Sequence, residues 1–271
     1  MNKNKMKSSH NIILTTCIVV ALLCLIAFTA KNKPTVKSGI GETDEKGFAV
    51  LELFTSEGCS SCPPADELMA RIQLDSKGKA VYLLAYHVDY WDRQGWKDGF
   101  SSADFSNRQM QYGRWLHVSP VYTPQVIVNG KAEFVGSSES AIRKAISEQL
   151  ATGPVANLVI HTQQDGEKLI LQYQASQAAK GSRLLIAILQ KAAQTKVERG
   201  ENAGRTLSHV QIVRKLQNEP ISPSGKGSFV ITLPNGLNTQ YEEVVGLIQD
   251  PASGEILAAA RADLNKSLSA K

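Results

Sequence analysis

The sequence predicts an α/β domain with a helical insertion over residues 47–153, followed by an all-β, sandwich-like domain over residues 154–265 and a tail at 266–271. The first observation is a strand–turn–helix pattern around two cysteines near residue 60. The second is a continuous apolar run that begins at Ala80, which is typical of a central strand in a parallel sheet. The third is a change after Gly153 to short apolar runs separated by turn residues, which is typical of an all-β domain.

Two cysteines, Cys59 and Cys62, lie at the predicted turn between a strand and a helix. The apolar run 48–54 before them indicates a buried strand. Pro63 and Pro64 fit the first turn of a helix, where the missing N–H groups are not needed. The helix itself is predicted by apolar residues at helical spacing, namely Ala65, Leu68, Met69 and Ile72. A helix N-terminus stabilises a thiolate, so Cys59 is the predicted nucleophile and Cys62 the predicted resolving thiol.

Other roles for this CxxC pair are less well supported by the sequence. A zinc site needs further cysteine or histidine ligands, and the chain has no second CxxC pair. A structural disulfide across so small a ring removes little entropy from the unfolded chain. The spacing therefore favours a redox or thiol-dependent role.

The net charge of +5 is concentrated near the N-terminus. Lys3, Lys5 and Lys7 contribute three of these charges, and residues 1–30 contain no acid, so the rest of the chain carries +2. This balance does not favour a nucleic-acid partner. The uncharged run 12–30 after the lysines predicts either a cleaved signal peptide or a signal anchor in the inner membrane.

Such a signal places the rest of the chain outside the cytoplasm, in the periplasm or cell envelope. Residues 31–46 are polar and contain proline and glycine, so they predict a linker. Cys17 and Cys24 lie inside the apolar run, and the exported part therefore holds only the CxxC cysteines. In an oxidising compartment such a pair is a disulfide unless a reductant maintains the thiols.

The strand that begins at Ala80 ends in a polar and aromatic tail that contains His87, Asp89 and Trp91. Because sites in open α/β sheets gather at the carboxyl ends of strands, we expect this tail to lie near the cysteines. Residues 101–116 predict an inserted helix that is capped by one of its first two serines.

A hairpin and a final helix complete the predicted first domain. Asn129-Gly130 between two apolar runs predicts a tight hairpin. A helix is then predicted from about residue 138 to residue 150, and Gly153-Pro154 ends it.

The order of strand, CxxC, helix, strand, inserted helix, Thr-Pro, hairpin and helix resembles that of thioredoxin-like proteins. A more specific match is carried by residues 51–66, 87–92, 95–98 and 121–125. These are similar to an exported bacterial family catalogued as domain of unknown function 1223, over about residues 48–262. The resemblance implies a thioredoxin-like fold and a cis peptide bond at Thr123-Pro124 that faces the dithiol, and it implies no particular substrate.

Two further residues, Glu52 and Pro124, are assigned to the predicted catalytic site, and Thr123 to substrate binding. Glu52 lies within the first strand, and either it is a buried carboxylate that accepts the proton of Cys62, or it faces solvent. Pro124 is expected to present the backbone of Thr123 to an extended substrate, an expectation that comes from analogy with thioredoxin-like sites.

The tail of the second strand supplies further candidates for substrate binding. His87 either stabilises the Cys59 thiolate, binds copper together with the dithiol, or is a hydrogen-bonded histidine at the end of its strand. Asp89 and Trp91 line a substrate groove or else pack against the inserted helix, and packing is favoured for Trp96.

One loop in the second predicted domain carries several polar and charged residues. The glycines of residues 199–205 lack the spacing of a phosphate-binding loop, so nucleotide binding is not favoured. The segment predicts a hairpin connection that precedes His209. We expect Glu201 and Arg205 to be hydrogen-bonded or to point towards the first domain.

These residues predict an extracytoplasmic thiol–disulfide oxidoreductase that needs no cofactor. Its expected partners are protein or small-molecule disulfides and dithiols, with a membrane anchor through residues 12–30. A copper-handling or substrate-binding protein on the same scaffold is the alternative. A third hypothesis is an interaction module whose disulfide stays permanently closed.

Overall fold

The computed structural model describes residues 47–234 and 242–263, of which 44% lie in strands and 21% in helices. The strands are β1 (Ala49–Thr55), β2 (Val81–His87), β3 (Gln125–Val128), β4 (Ala132–Val135), β5 (Asn157–Asp165), β6 (Lys168–Ser176), β7 (Arg183–Lys196), β8 (Thr206–Pro220), β9 (Lys226–Thr232), β10 (Glu242–Gln249) and β11 (Ile256–Asp263). The helices are α1 (Pro63–Asp75), α2 (Ala103–Trp115) and α3 (Glu139–Leu150), with a 3₁₀ segment at Asp89–Gln94.

Eight strands form one mixed sheet in the order β11-β10-β7-β8-β2-β1-β3-β4. β1 is parallel to β2 and antiparallel to β3. β8 is parallel to β2, through Ala85 and Ile212, and antiparallel to β7 over most of its length. The sheet therefore continues from the first predicted domain into the second. The prediction of a thioredoxin-like α/β domain followed by a separate sandwich-like domain is wrong, because most of the fold is this shared sheet.

The error has a physical cause at the edge of β2. An open sheet edge presents unpaired N–H and C=O groups, and here β8 covers that edge. The long β7 and β8 strands, of 14 and 15 residues, have a register shift between Ile188 and Leu189. Local sequence patterns indicate that a strand forms, but they do not indicate which distant edge it joins. The boundary proposed near residue 153 falls between α3 and β5 and stays a prediction.

A second sheet of three strands, in the order β5-β6-β9, packs on one face of the large sheet. Leu158 and Leu171 from the small sheet belong to one buried cluster with Leu184, Ile186 and Val244 from the large sheet. Full burial of a large aliphatic side chain contributes roughly 1.5–3 kcal/mol. This cluster holds the long strands that lead to the candidate site.

β1 is buried on both faces, and its alternating side chains enter two different cores. Leu51 and Leu53 pack in the cluster that contains the apolar side chains of α1 and α3. Val50 and Phe54 pack in the cluster that contains Phe105 of α2. Alternate residues of β1 therefore face different helices. This alternation decides which helix Glu52 faces.

Several local predictions are confirmed. Asn129 and Gly130 have φ angles of 48° and 68°, as the predicted tight hairpin between β3 and β4 requires. The inserted helix is α2, and the hydroxyl of its N-cap Ser102 accepts a hydrogen bond from the N–H of Asp104 at 3.2 Å. The helix predicted from about residue 138 is α3.

The predicted export signal at 1–30, the linker at 31–46 and the tail at 266–271 lie outside the described residues. Within residues 47–234 and 242–263, no helix is both long and apolar enough to cross a membrane.

Candidate functional site

The two cysteines lie on the turn that joins β1 to α1, and both side chains are buried thiols. Cys62 is the N-cap of α1, which begins with the two prolines as expected. The N–H of Cys62 donates to the carbonyl of Cys59 at 3.2 Å, and the N–H of Cys59 donates to the carbonyl of Ser56 at 3.2 Å. These two bonds fold the turn tightly and bring the thiols together.

The Cys59 sulfur is surrounded by hydrogen-bonding groups. The Ser61 hydroxyl lies 3.2 Å from it, and the Thr123 hydroxyl donates to it at 3.4 Å. A hydrogen bond from Cys62 is the largest influence on this thiol, and together with Ser61 and Thr123 it outweighs the opposing effect of burial. The pKa of Cys59 is lowered to about 6, so a thiolate predominates at neutral pH.

Cys62 has the opposite character. Burial is the main reason why its pKa is raised, and the neighbouring Cys59 and the charge of Asp66 raise it further. The Thr55 hydroxyl acts in the other direction through a hydrogen bond. The pair is therefore asymmetric, with a stabilised thiolate at Cys59 and a protonated thiol at Cys62.

Asp66 is a site residue that the sequence reasoning missed. It lies one helical turn after Cys62 in α1, only 5% exposed, and its carboxylate accepts a hydrogen bond from the Thr55 hydroxyl at 3.2 Å. Positions i and i+4 of a helix lie on one face, roughly 5–6 Å apart between Cβ atoms. That spacing in the sequence is the signal that could have identified it.

Glu52 is fully buried, but it lies on the other face of β1, with Val50 and Phe54, away from α1. Its carboxylate accepts hydrogen bonds from the Arg108 side chain, at 2.5 Å from Nε and 2.9 Å from Nη2, and from the Tyr112 hydroxyl. The burial of Glu52 is as the first interpretation expected, but its role is corrected, because the carboxylate does not face Cys62; the solvent-facing interpretation is wrong. Glu52 is a buried partner of Arg108.

His87 is a buried histidine at the end of β2, and its Nδ1 lies 2.7 Å from Asp98 Oδ2. Of the three interpretations of His87, this geometry matches the hydrogen-bonded histidine at the end of its strand. The His87 imidazole holds the pKa of Asp98 below its ordinary value, against the effect of burial. Among the described residues, no group of three or more His, Cys, Asp or Glu side chains is placed to hold a metal ion.

Asp89 and Trp91 lie in the 3₁₀ segment and have different roles. The Asp89 carboxylate accepts a hydrogen bond from the Ser106 hydroxyl at 2.5 Å, which ties the segment to α2. The Trp91 indole N–H donates to the Thr123 hydroxyl at 2.8 Å, and that hydroxyl in turn contacts Cys59. Trp91 is therefore joined to the cysteine site, whereas Asp89 anchors the segment that carries it.

The peptide bond between Thr123 and Pro124 is cis, which confirms what the family resemblance implied. Pro124 is buried directly before β3, and the Thr123 hydroxyl reaches the Cys59 sulfur. Among the described residues, the backbone N–H of Thr123 has no hydrogen-bond partner. The Thr-Pro segment thus lies against the dithiol with a free donor.

The loop between β7 and β8 contacts the cysteine turn directly. The Glu201 carboxylate accepts a hydrogen bond from the N–H of Ser60 at 2.9 Å, and Arg205 donates to the Asn202 side chain at 2.9 Å. These contacts confirm that Glu201 and Arg205 are hydrogen-bonded. The buried Asn202, which sequence reasoning did not identify, donates to the carbonyl of Cys59 at 2.9 Å.

A buried charge cluster lies behind the turn. His209 of β8 is 1% exposed, with Nε2 3.4 Å from Glu57 Oε1 and Nδ1 3.8 Å from Asp66 Oδ2. The Trp96 indole N–H donates to the other Glu57 oxygen at 2.7 Å, so Trp96 has a polar partner in addition to packing. Burial alone would lower the pKa of His209, but the two carboxylates raise it to about 9.

The model of a family described as "Protein of unknown function (DUF1223)" matches residues 50–249 of the chain. A crystal structure of a protein from Agrobacterium tumefaciens is similar, with 26% sequence identity and a TM-score of 0.61, over 82% of this chain and 96% of that one. HBP35 of Porphyromonas gingivalis is similar in fold, with 16% identity and a TM-score of 0.59, over 83% of this chain and 79% of that one. No curated protein matches the chain.

Proposed function

The chain belongs to the DUF1223 family, and because that membership assigns no activity, we propose from the geometry of the dithiol that the protein carries out thiol–disulfide exchange. The observation that carries this proposal is the asymmetry of the two thiols. The Cys59 sulfur accepts hydrogen bonds that favour a thiolate, whereas Cys62 is enclosed at the N-terminus of α1 and keeps its proton. An attacking thiol and a resolving thiol need these two properties.

The proposed reaction has two steps. The Cys59 thiolate attacks one sulfur of a substrate disulfide, forms a mixed disulfide and releases the other substrate sulfur as a thiolate. Cys62 then loses its proton and attacks the Cys59 sulfur. The Cys59–Cys62 disulfide forms, the second substrate sulfur leaves with its bonding electrons, and two electrons have passed to the substrate. The reverse sequence oxidises a substrate dithiol with the same residues.

Asp66 is the proposed acceptor of the Cys62 proton, in place of Glu52. Its carboxylate lies on the same helix face as Cys62, and the Thr55 hydroxyl contacts both groups. A buried carboxylate within reach of a thiol, directly or through one hydroxyl, is placed for general base catalysis. Glu52 is excluded from this role by its position on the other face of β1.

The proposed substrate is a protein or small-molecule disulfide that binds along the Thr123-Pro124 segment. The free backbone N–H of Thr123 lies beside the dithiol and can pair with an extended chain, as edge recognition requires. Cys59 is fully buried beside Ser61 and the Thr123 hydroxyl, which also binds Trp91, so a substrate has to displace part of this cover. Exposed Ser60 and Ser61 mark the side of approach.

The proposed location is outside the cytoplasm, in the periplasm or anchored to the membrane, and it is supported by the basic and apolar N-terminal sequence. Fractionation of cells that produce the full-length protein tests it. Recovery in the cytoplasmic fraction would contradict it.

Trapping of the mixed disulfide tests the proposed function. The full-length Cys62→Ser variant is incubated with oxidised glutathione at pH 7, and the adduct is measured by mass spectrometry. We expect a stable adduct of one glutathione on Cys59. The matched Cys59→Ser variant keeps the enclosed thiol and is expected to react far more slowly. Equal reaction of both variants, or reaction of neither, would contradict the assignment of Cys59 as the nucleophile.

A further inference from the structure

The β7–β8 strand pair places His209 between the cysteine turn and helix α1. His209 contacts Glu57, on the turn that leads to Cys59, and Asp66, on the helix that begins after Cys62. We infer that His209 is a positioning residue, whose positive charge compensates these two carboxylates and so allows Cys62 to release its proton during resolution of the mixed disulfide. This inference rests on the proposed thiol–disulfide exchange.

The site contains an unusual amount of buried negative charge. Glu57, Asp66 and Asp98 are all 5% exposed or less. Asp98 is paired with His87. Among the described residues, His209 is the one ion-pair partner of both Glu57 and Asp66. Nearby negative charge disfavours the ionisation of a thiol, so loss of this cation is expected to hinder Cys62.

The groups that face His209 come from four parts of the chain. Glu57 and Asp66 lie at its ring nitrogens, the His87 ring meets it edge-to-face at 4.7 Å, and the Phe100 ring lies at 6.0 Å. Neither ring nitrogen makes a hydrogen bond of normal geometry, so the contact with the carboxylates is mainly electrostatic. The two carboxylates raise the pKa of His209 to about 9, which keeps the ring charged at neutral pH.

The charge matters most in the second step of the reaction. When Cys62 gives up its proton to Asp66, with the Thr55 hydroxyl between them, the negative charge moves from the Asp66 carboxylate to the Cys62 sulfur. The Cys62 sulfur then bonds to Cys59, and the substrate sulfur departs as a thiolate. His209 stays protonated throughout. It offsets the negative charge that Glu57, Asp66 and Cys62 carry together during this transfer, which is a role in the second step and not in the first.

A disulfide reagent that releases a coloured thiolate at each step separates the two events. Reduced full-length protein is mixed with 5,5′-dithiobis(2-nitrobenzoate), and the two releases are followed between pH 6 and pH 10. For His209→Gln we expect an unchanged first release and a second release about tenfold slower at pH 7, with its pH midpoint about one unit higher. His161→Gln removes an exposed histidine of β5 and is the matched control.

A charge-removal variant distinguishes the electrostatic role from a structural one. Glu57→Gln can still accept the Trp96 hydrogen bond but removes one carboxylate charge. In the His209→Gln/Glu57→Gln double variant we expect most of the second-release rate to return. A slower second release with an unshifted midpoint and no recovery in the double variant would overturn the inference in favour of a structural role.

The outcomes also separate this inference from the proposed function. If the wild-type protein releases neither thiolate, the proposed function fails, and this inference fails with it. If the wild-type releases both and His209→Gln behaves identically, only the inference is overturned. Should His209→Gln not fold, the ring-proton NMR titration of His209 in reduced wild-type protein decides the matter. Titration near pH 9 supports a charged ring, and a ring that is neutral at pH 7 overturns the inference.

Discussion

The side-chain amide of Asn202 donates hydrogen bonds to the backbone carbonyls of Cys59 and Glu57, at 2.9 Å each. Asn202 follows Cys59 by 143 residues and lies in the loop between β7 and β8. One buried amide thus fixes the backbone on both sides of Gly58. The conformation of the cysteine turn depends on a strand pair that joins the sheet from a distant part of the chain.

We therefore expect Asn202→Ala to lower the free energy of unfolding by roughly 1–3 kcal/mol, because it leaves the Glu57 carbonyl without a donor and the Cys59 carbonyl with only the N–H of Cys62. Urea denaturation of the oxidised protein measures the effect. Asn107→Ala, at an exposed position of α2, is the matched control and is expected to change stability by about 0.5 kcal/mol or less. Equal stability of the two variants would show that the Asn202 hydrogen bonds do not stabilise the cysteine turn.

The Thr123 hydroxyl donates to the Cys59 sulfur, and this bond is stronger for the thiolate than for the thiol. We expect Thr123→Val to raise the pKa of Cys59 from about 6 by roughly half a unit to one unit. The absorbance of the thiolate near 240 nm, measured against pH in the reduced protein, gives the value. Thr152→Val, far along the chain at an exposed position, serves as the control. An unchanged pKa of Cys59 in Thr123→Val would show that the Thr123 hydroxyl does not stabilise the thiolate.

His209 predicts how stability depends on pH. Its pKa is raised from about 6.5 in the unfolded chain to about 9 in the folded protein, so its contribution is complete below pH 6.5 and is lost as the pH rises through 9. The lowered pKa of Cys59 has the opposite effect, because it makes the reduced protein more stable as the pH rises. In the oxidised protein Cys59 has no free thiol, so this effect is absent.

In the oxidised protein we expect wild-type stability to fall, relative to His209→Gln, by up to about 3 kcal/mol between pH 6.5 and pH 9.5. Urea denaturation at each pH measures the difference. A difference that stays constant over this range would contradict a raised pKa at His209.

Asp66→Asn removes the proposed proton acceptor of Cys62. We expect the second thiolate release to slow by at least about a hundredfold, the lower end of the usual range for general base catalysis, while the first release stays the same. Asp75→Asn changes an exposed carboxylate at the end of the same helix and is the control. If the second release of Asp66→Asn matched that of the control, another group would have to take the proton.

Glu52→Gln is expected to lower the stability of the protein and to leave both thiolate releases unchanged. It leaves the buried Arg108 guanidinium without its carboxylate, which costs about 3–5 kcal/mol of stability for a broken buried pair. Thiolate release should stay the same, because Glu52 lies across the sheet from α1. Urea denaturation and the two-phase release assay measure the two effects. A selective loss of the second release in a folded variant would restore Glu52 as the proton acceptor.

The local parts of the site could be predicted from the sequence. The strand before the cysteines, the helix with prolines in its first turn, and the Asn129-Gly130 hairpin all depend on neighbouring residues. The cis bond before Pro124 came from the family resemblance. Each of these features is determined by local backbone preferences or by a short motif, so a pattern over a few residues is sufficient.

The long-range parts could not be predicted. Whether Glu52 meets α1 or α2 depends on the exact parity of β1, which a continuous apolar run does not reveal. The contribution of Asn202 and His209 depends on β8 pairing with the edge of β2. Edge pairing is decided by tertiary packing, and for the same reason the sequence suggested two separate domains where the structure has one shared sheet.

The reduction potential of the Cys59–Cys62 pair decides whether this dithiol can take part in thiol–disulfide exchange. The full-length protein is equilibrated with glutathione buffers, and the oxidised fraction is measured after acid quenching. Thiol–disulfide exchange predicts a potential in the range of known exchangers, roughly −120 to −270 mV. A potential below about −300 mV would make the pair an inert structural disulfide and would rule out exchange as its function.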